Sequence, residues 1–199
     1  MIKLGITGGI GTGKSVVSKI LTTLGIPVFN SDLVSKQILL GSAKVKDLLI
    51  LKFGNTILDE KNFIDREKLG SLVFTNNEAL KYLEGILHPE VSLAFKEWCK
   101  KNEHNPIIGK EAAILIESGT YLELDYILSV NADIQTRIKR IQERDHLSSQ
   151  EIEQRITKQL PMEAVNNKSH FIIDNSGKVA VIPQIMSLLD ILYGLSEGE

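Results

Sequence analysis

With a single cysteine, Cys99, this 199-residue chain cannot form an internal disulfide, and no Cys/His spacing of the metal-binding kind occurs. That usage fits a reducing compartment, and Cys99, at helical spacing with Leu93, Phe95 and Trp98, reads as a packing residue. An excess of either charge is also missing. Lys and Arg number 23 against 25 Asp and Glu, and a net charge of −2 gives no reason to expect nucleic acid or an anionic membrane as partner. No apolar run reaches the ~20 residues that cross a bilayer, and the chain opens on a strand-like run rather than a signal segment. A soluble, cytoplasmic protein is expected, as a monomer or weak homo-oligomer. Repeats, low-complexity stretches and long linkers are absent, so residues 1–199 are expected to form one domain carrying an inserted subdomain.

What is present is Gly8-Gly-Ile-Gly-Thr-Gly-Lys-Ser15, which fits G-x-x-x-x-G-K-[ST] directly after the strand-like run Ile2–Thr7. The glycines let successive backbone N–H groups turn inward on phosphate oxygens at the start of a helix. Lys14 adds a charge for the β- and γ-phosphates, and Ser15 a hydroxyl for Mg²⁺. A glycine-rich turn without a ligand is the competing reading. The helical spacing of Val16, Val17, Ile20, Leu21 and Leu24, with Gly25 as a stop, argues against it.

Further strands are expected at Pro27–Asn30, Pro106–Leu115, Tyr126–Val130 and His170–Asp174, alternating with helical patterns. Alternation of this kind predicts an α/β fold: a five-stranded parallel sheet with helices on both faces and ligands at the carboxyl ends of the strands. Residues from about 32 to 105 are helical throughout, at 45–53, 66–74, 77–87 and 89–101, and predict a helical subdomain for an acceptor or a purely structural insertion. A second helical pair, about 134–160, breaks near Asp145 and restarts at Ser148, where Glu151 completes a capping-box signature. It carries Arg137, Lys139, Arg140 and Arg144. These form either a lid over a phosphate chain or a solvated face paired with Glu143, Asp145 and Glu153, and the upstream loop favours the lid. The last helical pattern, 178–193, places Val179, Ile182, Met186, Leu189 and Leu192 on a core stripe, with Pro183 marking either its start or a distorted first turn.

Phosphoryl transfer requires a place for the acceptor's proton. Asp32, just beyond the second expected strand, is either that base or the cap of a helix beginning at Leu33. Glu117 suits metal-bound water or the acceptor, with a helix start as the alternative, and His88, before Pro89, sits at an expected helix junction. A kinase of a nucleoside monophosphate or a small hydroxy acid and a nucleotide-binding regulator with little turnover are both open readings. A guanine-nucleotide switch is disfavoured because Asn167-Lys168 is followed by Ser169 and His170.

The opening Leu4-Gly-Ile-Thr-Gly-Gly-Ile-Gly-Thr-Gly-Lys-Ser15 resembles the start of dephospho-coenzyme A kinases, which phosphorylate the ribose 3′-hydroxyl of dephospho-CoA with ATP. Asn30-Ser-Asp32, Ile86-Leu-His-Pro89 with Arg66, Leu69 and Phe74 upstream, Ile114-Leu-Ile-Glu117, Arg140 with Arg144-Asp145, and Ile173-Asp-Asn-Ser-Gly177 follow in that family's order. The resemblance implies a P-loop kinase of three layers. It further implies that Gly8, Gly11, Thr12, Gly13, Lys14, Ser15 and Val16 bind ATP, that Arg140 belongs to the lid, and that Asn175 lies near the base. Lys14, Asp32 and Arg140 are the catalytic residues so implied, and Asp32, Lys36, Arg66, His88 and Glu117 bind dephospho-CoA. Asn30 replaces the family's Asp, Lys36 its Arg, Ala113 its Pro and Arg137 its Gln.

Overall fold

The apolar runs separated by helical patterns pair as a parallel sheet in the order β2-β3-β1-β4-β5. The strands are β1 (Ile2–Thr7), β2 (Val28–Asn30), β3 (Ile107–Glu111), β4 (Tyr126–Asn131) and β5 (Phe171–Asp174). The computed structural model describes residues 1–197, and the side chains of Phe74 and Glu197 lie outside the described set. Helices follow as α1 (Lys14–Thr23), α2 (Ser31–Gly41), α3 (Ala43–Phe53), α4 (Arg66–Thr75), α5 (Asn77–Lys101), α6 (Ile134–Asp145), α7 (Ser149–Thr157), α8 (Met162–Asn166) and α9 (Val181–Glu197). Among the described residues no helix is long and apolar enough to cross a membrane.

The chain divides into two compact units, Met1–Asn30 with Lys101–Glu199, and Ser31–Lys100. In the first, period-2 alternation sends neighbouring residues of β4 to opposite layers. Leu128 and Val130 pack with Val17, Leu21, Ile185 and Leu192, whereas Ile127 packs with Leu115, Ile116 and Val165. Helices therefore cover the sheet on both faces, and the central strand β1 delivers its carboxyl end to the glycine-rich loop. The second unit is helical and has its own core, built around Val45, Leu49, Ile57, Leu69, Val73 and Leu87.

Local chemistry sets most helix starts. Ser42 accepts from the Val45 N–H, Asp65 from the Glu67 and Lys68 N–H groups, and Asp133 from the Thr136 N–H. Ser148 and Glu151 form the expected capping box. Helix α9 begins two residues before Pro183, which therefore sits in the first turn, where its missing N–H costs no helical bond.

Four expectations are corrected. The strand expected at Pro106–Leu115 ends at Glu111, because the apolar residues beyond it are buried in a turn: Leu115 and Ile116 are at most 5% exposed although residues 113–118 are not extended. Helix α5 runs unbroken through Pro89, so His88 lies inside a helix and not at a junction. Burial of Leu87, Val91, Phe95 and Cys99, each four residues apart, keeps one helical face in register across the proline. The stripe of α9 is displaced: Val179, Ile182 and Met186 are exposed, while Ile185 and Leu188 join Leu189 and Leu192 in the core. Finally, α2 starts at Ser31, so Asp32 is a first-turn residue and not the cap of a helix beginning at Leu33.

Candidate active site

The phosphate loop is shaped by groups that grip its backbone. Gly13 caps α1 with φ of 93°, a left-handed geometry that favours glycine, and a Cβ there would fall 2.1 Å from the Asn175 side-chain nitrogen. Asn175, 8% exposed just past β5, donates through Nδ2 to the Thr12 carbonyl at 2.8 Å and is tied by its own N–H to the Asn131 carbonyl at 2.7 Å. Thr12 is fully buried and donates its hydroxyl to the Gly9 carbonyl at 2.9 Å. The Lys14 ammonium reaches back over the loop to the Gly8 and Gly9 carbonyls at 2.7 and 3.3 Å.

Arginines of α6 also reach the loop backbone. Arg140 donates to the Asn175 carbonyl at 2.8 Å and, at longer range, to the Gly11 and Thr12 carbonyls at 3.5 and 3.4 Å. Arg144 instead pairs with Asp145 through two bonds of 2.7 and 2.9 Å. That hydrogen bonding holds the Asp145 carboxyl below its usual range and raises the Arg144 guanidinium. The basic row therefore splits, with Arg140 on the loop and Arg144 on a solvated ion pair. Val16 and Ser15 are exposed at the start of α1, where they line one end of an apolar groove of about 530 Å³ running along α1.

Mg²⁺ is the ion this loop implies, and the donor set suits it in one way. Among the described residues no group of three or more His, Cys, Asp or Glu converges on a metal position. The exposed Ser15 hydroxyl next to Lys14 is a hard oxygen donor, and Mg²⁺ is commonly held by few protein ligands together with substrate phosphates and water. The residues present fit an ion that arrives with the nucleotide.

In the helical unit, Asp32, Ser35, Lys36 and Leu39 of α2 and Arg66 of α4 line one cavity of about 420 Å³. The i, i+3, i+4 spacing along α2 puts Asp32, Ser35 and Lys36 on one face, and Arg66 enters at the N-terminus of α4. A carboxylate with two cations in a concave site suits an acceptor carrying both a hydroxyl and anionic groups. His88, half-buried on α5, lies outside that lining. Glu117 belongs to the first unit, where it is exposed and accepts from the Leu160 N–H at 3.3 Å.

Several contributors escape a reading of motifs. Gln159 accepts the Ile10 N–H at 2.8 Å, and the Met162 sulfur the Gly9 N–H at 3.2 Å. No spacing rule singles out a glutamine that follows a helix. Lys110 and Glu111 are buried at the end of β3, where Lys110 pairs with Glu123 and Glu111 accepts from the Asn30 amide at 3.2 Å. Two adjacent charges inside an apolar strand were the available signal for that pair.

A sequence model described as CoaE, dephospho-CoA kinase, matches residues 2–180. The chain is 38% identical over 192 residues to dephospho-CoA kinase of Bacteroides fragilis (strain YCH46), spanning 96% of this chain and 93% of that protein. TT1252 from Thermus thermophilus superposes with a TM-score of 0.85 at 29% identity, over 94% of this chain and 95% of the other. Dephospho-CoA kinase from Campylobacter jejuni does so with a TM-score of 0.69 at 26% identity, over 98% of each chain. The sheet, its loop and the helical layers are a P-loop NTPase fold. Since the likeness runs through the loop, the helical unit and the arginine-bearing segment alike, the chain belongs to the dephospho-CoA kinase family.

Proposed function

We propose that this chain transfers the terminal phosphoryl group of ATP to the ribose 3′-hydroxyl of dephospho-CoA, giving CoA and ADP, with the following division of labour. The backbone N–H groups from Gly11 to Val16, bent by Gly8, Gly11 and Gly13, hold the phosphates. Lys14 exchanges its carbonyl partners for phosphate oxygens, and Arg140 adds a second cation where charge develops. Asn175 serves both loop and nucleotide: it holds the Thr12 carbonyl, and the family resemblance implies a position near the base.

The chemistry on the acceptor side falls to Asp32. As the ribose oxygen bonds to phosphorus and the bond to the β-phosphate oxygen breaks, the hydroxyl proton passes to the Asp32 carboxylate. Lys36 and Arg66, in the same cavity, bind the acceptor's phosphates; the family resemblance adds His88 and Glu117 as acceptor residues. Ser15 would hold Mg²⁺, which when bound supplies charge neutralisation of the phosphates. Helices α6 and α7 act as the lid that keeps water from the phosphoryl group. The protein works in the cytoplasm as a monomer or weak homo-oligomer, with no nucleic-acid or membrane partner.

The observation that carries this reading is the convergence of Lys14 and Arg140 on the backbone of one glycine loop. The test is ADP release from ATP·Mg²⁺ with dephospho-CoA, beside AMP, other nucleoside monophosphates, shikimate and no acceptor. Release with dephospho-CoA alone, matched by an equal amount of CoA, is expected, and release only with another acceptor overturns the substrate. Asp32→Asn is expected to lower kcat by about 10²- to 10⁴-fold with ATP affinity retained. Unchanged turnover in that variant removes Asp32 from the role of base.

A further inference from the structure

One residue of the phosphate loop is held from two sides. The Ile10 N–H donates to the Gln159 side-chain oxygen at 2.8 Å, and the Ile10 carbonyl accepts from Arg137 Nε at 2.9 Å. Arg137 stands in the first turn of α6 and Gln159 just past the end of α7, so both ends of the arginine-bearing segment are fastened to the same loop residue. The neighbouring Gly9 N–H donates to the Met162 sulfur at 3.2 Å, which closes the same edge.

Arg137 is the less ordinary partner. It is only 6% exposed, and its guanidinium lies so close to the loop that a Cβ on Gly9 would fall 2.5 Å from its terminal nitrogen. No carboxylate among the described residues pairs with it, and burial pushes its pKa down from the usual arginine value. An arginine still keeps its proton there, so a charge is buried next to an anion-binding loop without an ion-pair partner. A neutral donor could make the bond to the Ile10 carbonyl, and the usual family residue at this position is one. The charge of Arg137 is therefore surplus to the hydrogen bond and raises the positive potential at the phosphate site.

We propose that Arg137 and Gln159 are positioning residues: a two-sided clamp on the main chain of Ile10 that keeps the phosphate loop in its binding shape before nucleotide arrives. Oriented N–H groups bind anions tightly only when the loop does not have to be ordered at the moment of binding. The clamp deepens the kinase reading, on which its catalytic consequence rests, but its first consequence is nucleotide affinity in the absence of acceptor.

The test compares the parent chain with Arg137→Met, Arg137→Gln, Gln159→Leu and the Arg137→Met/Gln159→Leu double variant. Binding of ATP and ADP is measured without acceptor, alongside kcat, KM and the melting temperature. Arg137→Met and Gln159→Leu are each expected to weaken ATP binding roughly ten-fold, and the double variant by much less than the product, because both side chains act on one residue. Arg137→Gln is expected to recover part of the loss through its amide donor. A lower melting temperature with ATP affinity and kcat unchanged makes both residues merely structural and overturns the proposal, as do fully multiplicative effects. If the parent binds ATP but does not phosphorylate dephospho-CoA, the kinase reading fails while the affinities still judge the clamp. Should the methionine variant fail to fold, the milder Arg137→Gln and the single Gln159→Leu decide by the same affinities.

Discussion

Asn175 in the sheet unit and Asp32 in the helical unit are both polar, both at the start of a segment following a strand, and they are used in contrasting ways. Asn175 is buried, and its side chain is spent on the backbone of the phosphate loop. Asp32 is exposed at the first turn of α2 and faces a cavity it shares with Lys36 and Arg66. Around the loop, Thr12, Arg137, Arg140, Gln159 and Asn175 all hydrogen-bond to main-chain groups. In the proposed reading the loop binds phosphate through its own N–H groups beside Lys14 and Arg140, and those N–H groups are held in shape by side chains such as Thr12 and Gln159 that need not touch the phosphate. In the helical unit the groups proposed to act are side chains, those of Asp32, Lys36 and Arg66. Substitution should thus act through shape in the first region and through charge and hydrogen-bonding geometry in the second.

The sharpest way to break that contrast is Gly13→Ala. A single methyl group there meets both a left-handed backbone and the Asn175 side chain, so loop geometry and its main support fail together. Strain at such a position is about 1–3 kcal/mol, and we expect ATP affinity to fall by at least roughly ten-fold with a lower melting temperature, read by calorimetry and thermal melting. If ATP binds Gly13→Ala as it binds the parent, the loop is not held in the way described.

A smaller effect is expected from Lys36→Arg. The planar guanidinium offers two parallel donors to a phosphate or carboxylate where an ammonium offers a point charge, a gain of about 1 kcal/mol, or roughly five-fold. KM for dephospho-CoA should fall while KM for ATP stays constant. A change confined to ATP would mean that the cavity belongs to the donor side.

The smallest effect concerns acid. Hydrogen bonds from Arg144 hold Asp145 below its usual value, and those from Ser148, Ser176 and the Thr136 N–H do the same for Glu151, Asp174 and Asp133. Unfolded carboxylates take up protons first as pH drops below about 4.5, so the stability these groups add is full above that value and is lost as pH falls through their depressed folded values. The melting temperature should decline from pH 5 to pH 3, and Asp145→Asn should make that decline shallower. An unchanged slope in the variant would show that the exposed Arg144 pair contributes nothing measurable, as many surface pairs do.

Legibility from the sequence differed by the range of the interaction responsible. The loop, the capping box at Ser148 and four of the five strands to within a residue or so are local signals, carried by glycine, by hydroxyl and carboxylate caps and by apolar runs. The remaining strand was overextended because Leu115 and Ile116 are apolar for burial in a turn and not for extension in a sheet. Proline was weighed as a breaker at Pro89, yet the buried face of α5 continues across it. In the candidate site, Lys14 was singled out by the glycine motif and Arg140 and Asn175 by the family resemblance, although their loop contacts are as long-range as those of Gln159, Met162 and Arg137, which no motif or resemblance marked as loop contacts.

By itself the sequence determined that a phosphate loop joins a strand to a helix, that the sheet is parallel, and that a basic segment and an Asp-bearing helix accompany it. Those features follow from local backbone preference and from hydrophobic periodicity. Only the tertiary structure decided that β3 lies between β1 and β2, that Arg144 turns to Asp145 while Arg140 turns to the loop, and that Arg137 and Gln159 meet on Ile10. Each of these is a choice among partners of similar local chemistry. The choice is fixed by which side chains the packed core leaves within hydrogen-bond reach of one another.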